Sequence, residues 1–214
     1  MTLIDFLIEN QEDMTQNLLR HIELVGISVL VGIMISIPLG IVLSRHRELA
    51  GAVLAITGTI QTIPGLVMLG FALIFLGIGM LPALVVLSLY AILPILRNTY
   101  TGITEVDASY TEAARGIGMT NMQMLFKVEL PLALSSIIGG IRISTVYIVS
   151  WATLAGMIGA GGLGDPIWAG LATYNTGLIL SGAIPSAILA LLLSALIGLL
   201  QRILTPRGLR GARI

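Results

Sequence analysis

Long uncharged runs broken by short polar stretches set the organisation of this chain. Val25 to Leu43 carries no charge, and neither does Leu49 to Leu96. Leu132 to Ile158 holds one charged residue, Arg142, and Gly177 to Gln201 holds none. A run of about 20 apolar residues is what an α-helix needs to cross a hydrocarbon core of about 30 Å. As a single helix, Leu49–Leu96 would be about 70 Å long, more than twice that thickness. It is therefore read as two spans turning at Gly77-Ile78-Gly79-Met80-Leu81-Pro82, where glycine and proline punctuate the run. The pattern predicts an all-α, polytopic integral membrane protein with five transmembrane helices. They fall at approximately 18–43, 50–76, 81–97, 132–158 and 177–202, in one domain covering 1–214. No internal repeat, linker or low-complexity tract divides it. Pro38, Pro64, Pro94 and Pro185 lie inside the spans and are expected to kink them. Met1 to Gln16, with Asp5, Glu9, Glu12 and Asp13 among apolar residues, reads as a short amphipathic piece.

Composition agrees with that pattern and narrows the chemistry. The 214 residues are 56% hydrophobic and 10% charged, whereas soluble chains carry about 25% charged residues. With no cysteine there is no disulfide framework, thiolate metal site or thiol nucleophile. Met1 to Asn17 has no basic residue, which argues against a secretory signal peptide. Net charge is zero, but the charges are segregated. Arg45 and Arg47 follow span one; Arg97, Arg115 and Lys127 lie after span three; Arg202, Arg207, Arg210 and Arg213 end the chain. The other exposed regions hold no Lys or Arg, apart from Arg20 at the edge of span one. By the positive-inside rule the N-terminus is outside and the C-terminus cytoplasmic, and only an odd number of spans satisfies both. No nucleic-acid partner is expected.

The polar segment 98–131 is the most informative. Thr111 precedes Glu112-Ala113-Ala114-Arg115 and offers a helix start, with Glu112 near the positive end of the dipole. Gly118 permits positive φ, so one short helix can stop and another leave in a new direction. Thr120 or Asn121 can cap the second helix, on which Met122, Leu125, Phe126 and Glu129 share a face. Pro131 suits the first turn of the next helix. The same residues form a spaced pattern: Glu112-Ala113-Ala114, three residues, Gly118, nine residues, then Val128-Glu129-Leu130-Pro131. This resembles the cytoplasmic signature loop of permease subunits from bacterial ATP-driven importers; Val128 stands where isoleucine is commoner. Further stretches resemble the glycine betaine, carnitine and choline permeases among the type I ABC importers. They are IQTIPGLVMLG from Ile60, ILPILRNTYTGI from Ile92, EAARGIGMTNMQMLFKVELPLALSSIIGGIR from Glu112 and IVSWATLAGMIGAGGLGDPIWAGL from Ile148.

The resemblance implies that this chain sits in the bacterial plasma membrane and needs no cofactor of its own. It implies a second permease copy or a sister permease, two cytoplasmic ATPase subunits, an extracytoplasmic substrate-binding protein and a small-molecule solute. It also implies that the loop docks on the ATPase through Glu112, Ala113, Ala114 and Arg115, with Gly118 setting the bend and Leu130-Pro131 the exit. Solute then crosses by alternating access. The chain contains no Gly-x-x-x-x-Gly-Lys-Ser/Thr, so it cannot cradle ATP itself.

Other candidates stay open. Gly159-Ala160-Gly161-Gly162-Leu163-Gly164 satisfies G-x-G-x-x-G, but it follows a membrane helix rather than a strand, which rules out a dinucleotide fold. Together with Asp165 it is either an outer gate or dock, or a flexible connector over 159–176. Arg142 lies about 15 Å along the helix from Pro131; it either pairs with a neighbouring subunit, ties down carbonyls or meets solute. Tyr147 and Trp151 share a face and either pack or line a path for a quaternary ammonium ion. His21 and His46 fall on opposite sides of the membrane and offer no metal site. Three rival readings are a methionine-like amino-acid importer, an ATP-independent carrier or channel, and a membrane-embedded enzyme. The carrier requires inverted repeats or more buried ionisable groups, and the enzyme a catalytic cluster at membrane depth.

Overall fold

The structure, a computed structural model, describes residues 11–205. Its helices in chain order are α1 (Gln11–Arg45), α2 (Arg47–Thr62), α3 (Gly65–Leu76), α4 (Met80–Thr104), α5 (Ala108–Gly116), α6 (Asn121–Met124), α7 (Leu130–Ala155), α8 (Gly164–Thr173) and α9 (Thr176–Leu204). A π-helical turn at Leu125–Glu129 leads into α7, and a 3₁₀ turn at Gly156–Ile158 leaves it. Residues 1–10 of the expected amphipathic piece, and Arg207, Arg210 and Arg213, lie outside the described residues. Gln11 to Gln16 is the first part of α1, not a separate element.

Among the described residues, four stretches are long and apolar enough to cross a membrane as single helices: α1, α4, the continuous stretch Asn121–Ile158 that contains α7, and α9. The span expected at 50–76 is not one helix, because α2 and α3 meet at 89°. Pro64 is the cause. It lacks an N–H and forces Ile63 out of the helical region, to φ −69° and ψ 127°. Pro38, Pro94 and Pro185, by contrast, lie inside unbroken helices. The expected connector 159–176 contains α8, and the expected loop 98–131 starts later, since α4 continues to Thr104.

Small residues bring the long helices together. Ser28, Gly32, Ser36 and Gly40, four apart along α1, are all buried. A Cβ on Gly32 would sit 2.8 Å from Cβ of Ala91, and one on Gly40 2.7 Å from Cγ2 of Thr99, both on α4. The Ser36 hydroxyl donates to the Ile92 carbonyl at 3.0 Å. Close backbone approach with interhelical hydrogen bonds is how apolar helices associate where lipid competes for apolar contact. The same device joins α4 to α7, where Ser144 donates to the Ala91 carbonyl at 3.0 Å and Gly140 abuts Asn98. Between α7 and α9 apolar packing is joined by a polar contact, the Gln201 amide donating to the Ser135 carbonyl at 2.8 Å. Leu24, Leu87, Ile148, Val149 and Leu163 form the heart of the largest apolar cluster.

The molecule has two distinct ends. The Gly79 N–H donates to the Ile158 carbonyl at 3.0 Å, placing the 77–79 turn beside the glycine tract. The other end of α4, about 37 Å away, carries the α5–α6 loop.

Candidate functional site

Between α4 and α7 the chain folds into two short helices and a π turn. Asp107 caps α5, its carboxylate accepting the Ser109 N–H at 2.8 Å. Helix α5 thus begins before Thr111, which donates back to the Ala108 carbonyl at 2.9 Å instead of capping. Glu112 consequently lies in the middle of α5 rather than at its positive end. The hydrogen bond from Ser109 holds the Asp107 carboxyl below the usual carboxylate range. Helix α5 ends in a Schellman turn. Met119 N–H reaches the Ala114 carbonyl at 3.1 Å and Gly118 N–H the Arg115 carbonyl at 2.9 Å, with Gly118 at φ +80°. A capping box starts α6: Gln123 N–H donates to Thr120 Oγ1 at 3.3 Å, and Thr120 N–H to Gln123 Oε1 at 2.9 Å.

The face expected for Met122, Leu125, Phe126 and Glu129 does not form. Met122 and Phe126 are exposed, whereas Met124, Leu125 and Glu129 are buried. The π turn is the reason, since its wider spacing rotates Leu125 and Glu129 inward together. Glu129 is 5% exposed and receives both Nη groups of Arg45 from the end of α1. The loop is therefore tied to the first long helix as well as to α7. Its outward surface carries Glu112, Ala113, Arg115, Ile117, Met122 and Phe126, while Ala114 packs inward; Leu130 and Pro131 begin α7.

At the opposite end the glycine tract is packed, not a loose connector. Gly159, Gly161 and Gly162 take φ of +70°, +82° and +88°. Added Cβ atoms would meet His21 at Gly162 (3.1 Å from Nδ1) and the Thr153 carbonyl at Gly164 (2.2 Å). His21 is fully buried; its Nδ1 accepts the Leu163 N–H at 3.2 Å and its Nε2 pairs with the Val149 carbonyl at 3.1 Å. One imidazole thus joins α1, α7 and the tract. Asp165, in the first turn of α8, has a buried Oδ1 with no hydrogen-bond partner among the described residues, and burial pushes its carboxyl up. Asp165 also borders a cavity of about 330 Å³ that includes Asp13 and Ser181.

Arg142 and Tyr147 lie on the exposed side of α7. The Arg142 Nε donates to Ser194 Oγ on α9 at 2.8 Å. Trp151, one turn beyond Tyr147, stacks on Tyr90 of α4, with ring centroids 4.7 Å apart.

Compared with known proteins, residues 29–209 match the family described as binding-protein-dependent transport system inner membrane component. The chain belongs to that family. It is similar to the carnitine transport permease protein OpuCB of Listeria monocytogenes, at 45% identity over 99% of this chain and 97% of that one. It is also similar to the choline transport system permease protein OpuBB of Bacillus subtilis, at 44% identity over 97% and 96%. Among solved structures, the inward-facing MetNI methionine ABC transporter matches with TM-score 0.82 and 25% identity, covering 92% of this chain and 98% of that one. This chain is accordingly a multi-pass permease subunit with the type I ABC importer fold, a transport component and not an enzyme. The family works with an ATPase and a substrate-binding protein.

Within this permease, the predicted loop residues come together, as do Tyr147 with Trp151 and the glycines with Asp165. Sequence assigned no role to Tyr90 or Gln61, and it marked Arg45, Glu129 and His21 without the partners the structure gives them. Arg45 and Glu129 look like ordinary flanking charges, and 84 positions separate them. Gln61 alone left a signal, as an amide within a long uncharged run.

Proposed function

We propose that this chain is the membrane subunit of a binding-protein-dependent importer for compatible solutes carrying a quaternary ammonium group, such as glycine betaine, carnitine or choline. The observation that carries this reading is end-to-end similarity, at 43–45% identity, to permeases named for carnitine, choline and glycine betaine transport. A methionine importer shares the fold at only 25% identity, which favours it less.

In this reading two permease chains, identical or sister, assemble with two ATPase subunits and one extracytoplasmic binding protein in the bacterial plasma membrane. The N-terminus is outside, and the α5–α6 loop and C-terminus are cytoplasmic. Glu112, Ala113, Ala114, Arg115 and Gly118 present the loop to a groove on the ATPase, and Leu130-Pro131 carries its motion into α7. The Arg45–Glu129 pair carries the same motion into α1. Closure of the ATPase pair on ATP moves the loops together, which opens the opposite side to receive solute; hydrolysis resets it. Gly159, Gly161, Gly162, Gly164 and Asp165 form the outer gate, and Arg142, Tyr147 and Trp151 face the pathway. Arg142 and Tyr147 support that placement, because a charge at membrane depth on an exposed helix face is tolerated beside water or protein, not lipid.

The test is uptake into proteoliposomes holding the permease, its ATPase and its binding protein. ATP-dependent accumulation of labelled glycine betaine, carnitine or choline is expected, with none when the ATPase is omitted. Uptake of methionine alone, or uptake without the ATPase, would overturn the reading.

A further inference from the structure

The break between α2 and α3 borders a cavity of about 230 Å³ lined by Gln61, Tyr90, Tyr147 and Trp151. Three elements hold its aromatic wall in place. The Tyr90 and Trp151 rings stack with an interplanar angle of 22°. The Tyr90 hydroxyl donates to the Ile63 carbonyl, which the Pro64 break leaves outside any helix. The Gln61 amide donates to the Tyr90 carbonyl at 2.8 Å. Gly65 completes the arrangement, since a Cβ there would fall 1.4 Å from Cζ3 of Trp151; only glycine lets the indole lie against the start of α3.

The lining has a definite chemistry. Among the described residues it contains aromatic groups and an amide but no carboxylate. A primary ammonium brings three N–H donors and is best matched by a carboxylate, whereas this wall offers only the neutral Gln61 amide oxygen and tyrosine hydroxyls as acceptors. A quaternary ammonium brings none and is held by aromatic faces. The volume lies below the roughly 300–1,000 Å³ of pockets for drug-sized ligands, so the cavity suits a headgroup rather than a large molecule. Tyr147 also borders the adjoining cavity that contains Arg142 and Ser194. Arg142 is five residues before Tyr147, about 7.5 Å along the helix, and its Nε is engaged by Ser194. Arg142 lines this second cavity, with Nη1 on the Gly198 side, and its charge is where a carboxylate would sit.

We propose that these adjoining cavities form a solute-binding site within the permease, with Tyr90, Tyr147 and Trp151 holding the quaternary ammonium and Arg142 the carboxylate of zwitterionic solutes. The site rests on the importer reading above and adds to it a selectivity filter inside the membrane subunit. Choline, which lacks a carboxylate, uses the aromatic part alone.

The experiment measures maximal uptake of choline and glycine betaine by the assembled transporter at saturating binding protein. Tyr147→Leu is expected to slow both solutes about tenfold, while Tyr147→Phe stays within about twofold of the unaltered chain. Arg142→Gln is expected to slow glycine betaine more than it slows choline, shifting the ratio of the two rates. Should Tyr147→Leu fail to assemble, Trp151 fluorescence in a full-length Trp168→Phe chain reads the site directly. Choline should quench it, and its uncharged isostere 3,3-dimethylbutan-1-ol should not. If the unaltered transporter moves both solutes and the variants move them equally well, the site is wrong and the importer reading stands. Equal quenching by choline and the isostere has the same meaning. If the unaltered transporter moves neither solute, both fall.

Discussion

Gly118 turns the loop at φ +80°, with no atom near enough to crowd an added Cβ. Any cost of substitution there comes from backbone conformation alone. A β-branched residue resists that conformation, by more than the roughly 1–2 kcal/mol typical of left-handed residues. Gly118→Val is therefore expected to insert and assemble normally while coupled uptake is lost; normal uptake would refute the role given to the bend. Asp107 offers a second test at this scale. Its carboxyl lies below the ordinary value of 3.8 because it accepts the Ser109 N–H. The cap's contribution is thus fully present above pH 3.8 and disappears as pH falls through the lower folded-state value. Amide exchange at Ser109, corrected for intrinsic rate, should rise in that acid range. Asp107→Asn, which still accepts a hydrogen bond, should abolish the pH dependence.

At the scale of elements, the π turn and the Arg45–Glu129 pair decide how the loop is held. Glu129 is almost fully buried, whereas the Arg45 side chain remains 37% exposed. Solvent screening therefore reduces the cost of breaking a buried pair, and a double-mutant cycle should report a coupling of about 1–3 kcal/mol. Glu129→Gln should lower thermal stability and also the ratio of solute moved to ATP hydrolysed. Arg45→Glu with Glu129→Arg should recover part of that ratio. A pair that only stabilised the fold would change the melting temperature and leave the ratio untouched. The α1–α4 contact gives a further prediction. Gly40→Val places new methyl groups against Thr99 in a space already closed and should destabilise the protein by about 1–3 kcal/mol, as measured by thermal unfolding in detergent.

For the whole molecule the question is which end faces which compartment. The chain has no cysteine, so single introduced cysteines report accessibility without background. Ile117, on the loop, and Ala172, near the end of α8, are both exposed and lie at opposite ends. Ile117→Cys should react with a membrane-impermeant maleimide only from the cytoplasmic side, and Ala172→Cys only from outside. Labelling of both from one side would overturn the proposed orientation.

Much of this architecture was legible in the residue pattern because a bilayer imposes simple requirements. Uncharged runs of span length had to become helices, since no other local structure pairs its own backbone polar groups. Spacing along 112–131 marked the two short helices, because Gly118 and the capping residues act within a few positions of themselves. Other features depended on residues far apart in the chain. Nothing local in Ile63-Pro64-Gly65 says whether the helix kinks or turns through 89°; the packing of Trp151 onto Gly65 and the Tyr90 bond to Ile63 hold it there. The pairing of Arg45 with Glu129 and the burial of His21 between two backbone groups are likewise products of helix packing. The sequence alone determined which segments are apolar enough to enter the membrane and where the chain breaks into short helices, since both follow from burial and local geometry. Only the tertiary structure decided which side chains meet at the break in the second span, because that contact exists only once α2, α3, α4 and α7 are packed together.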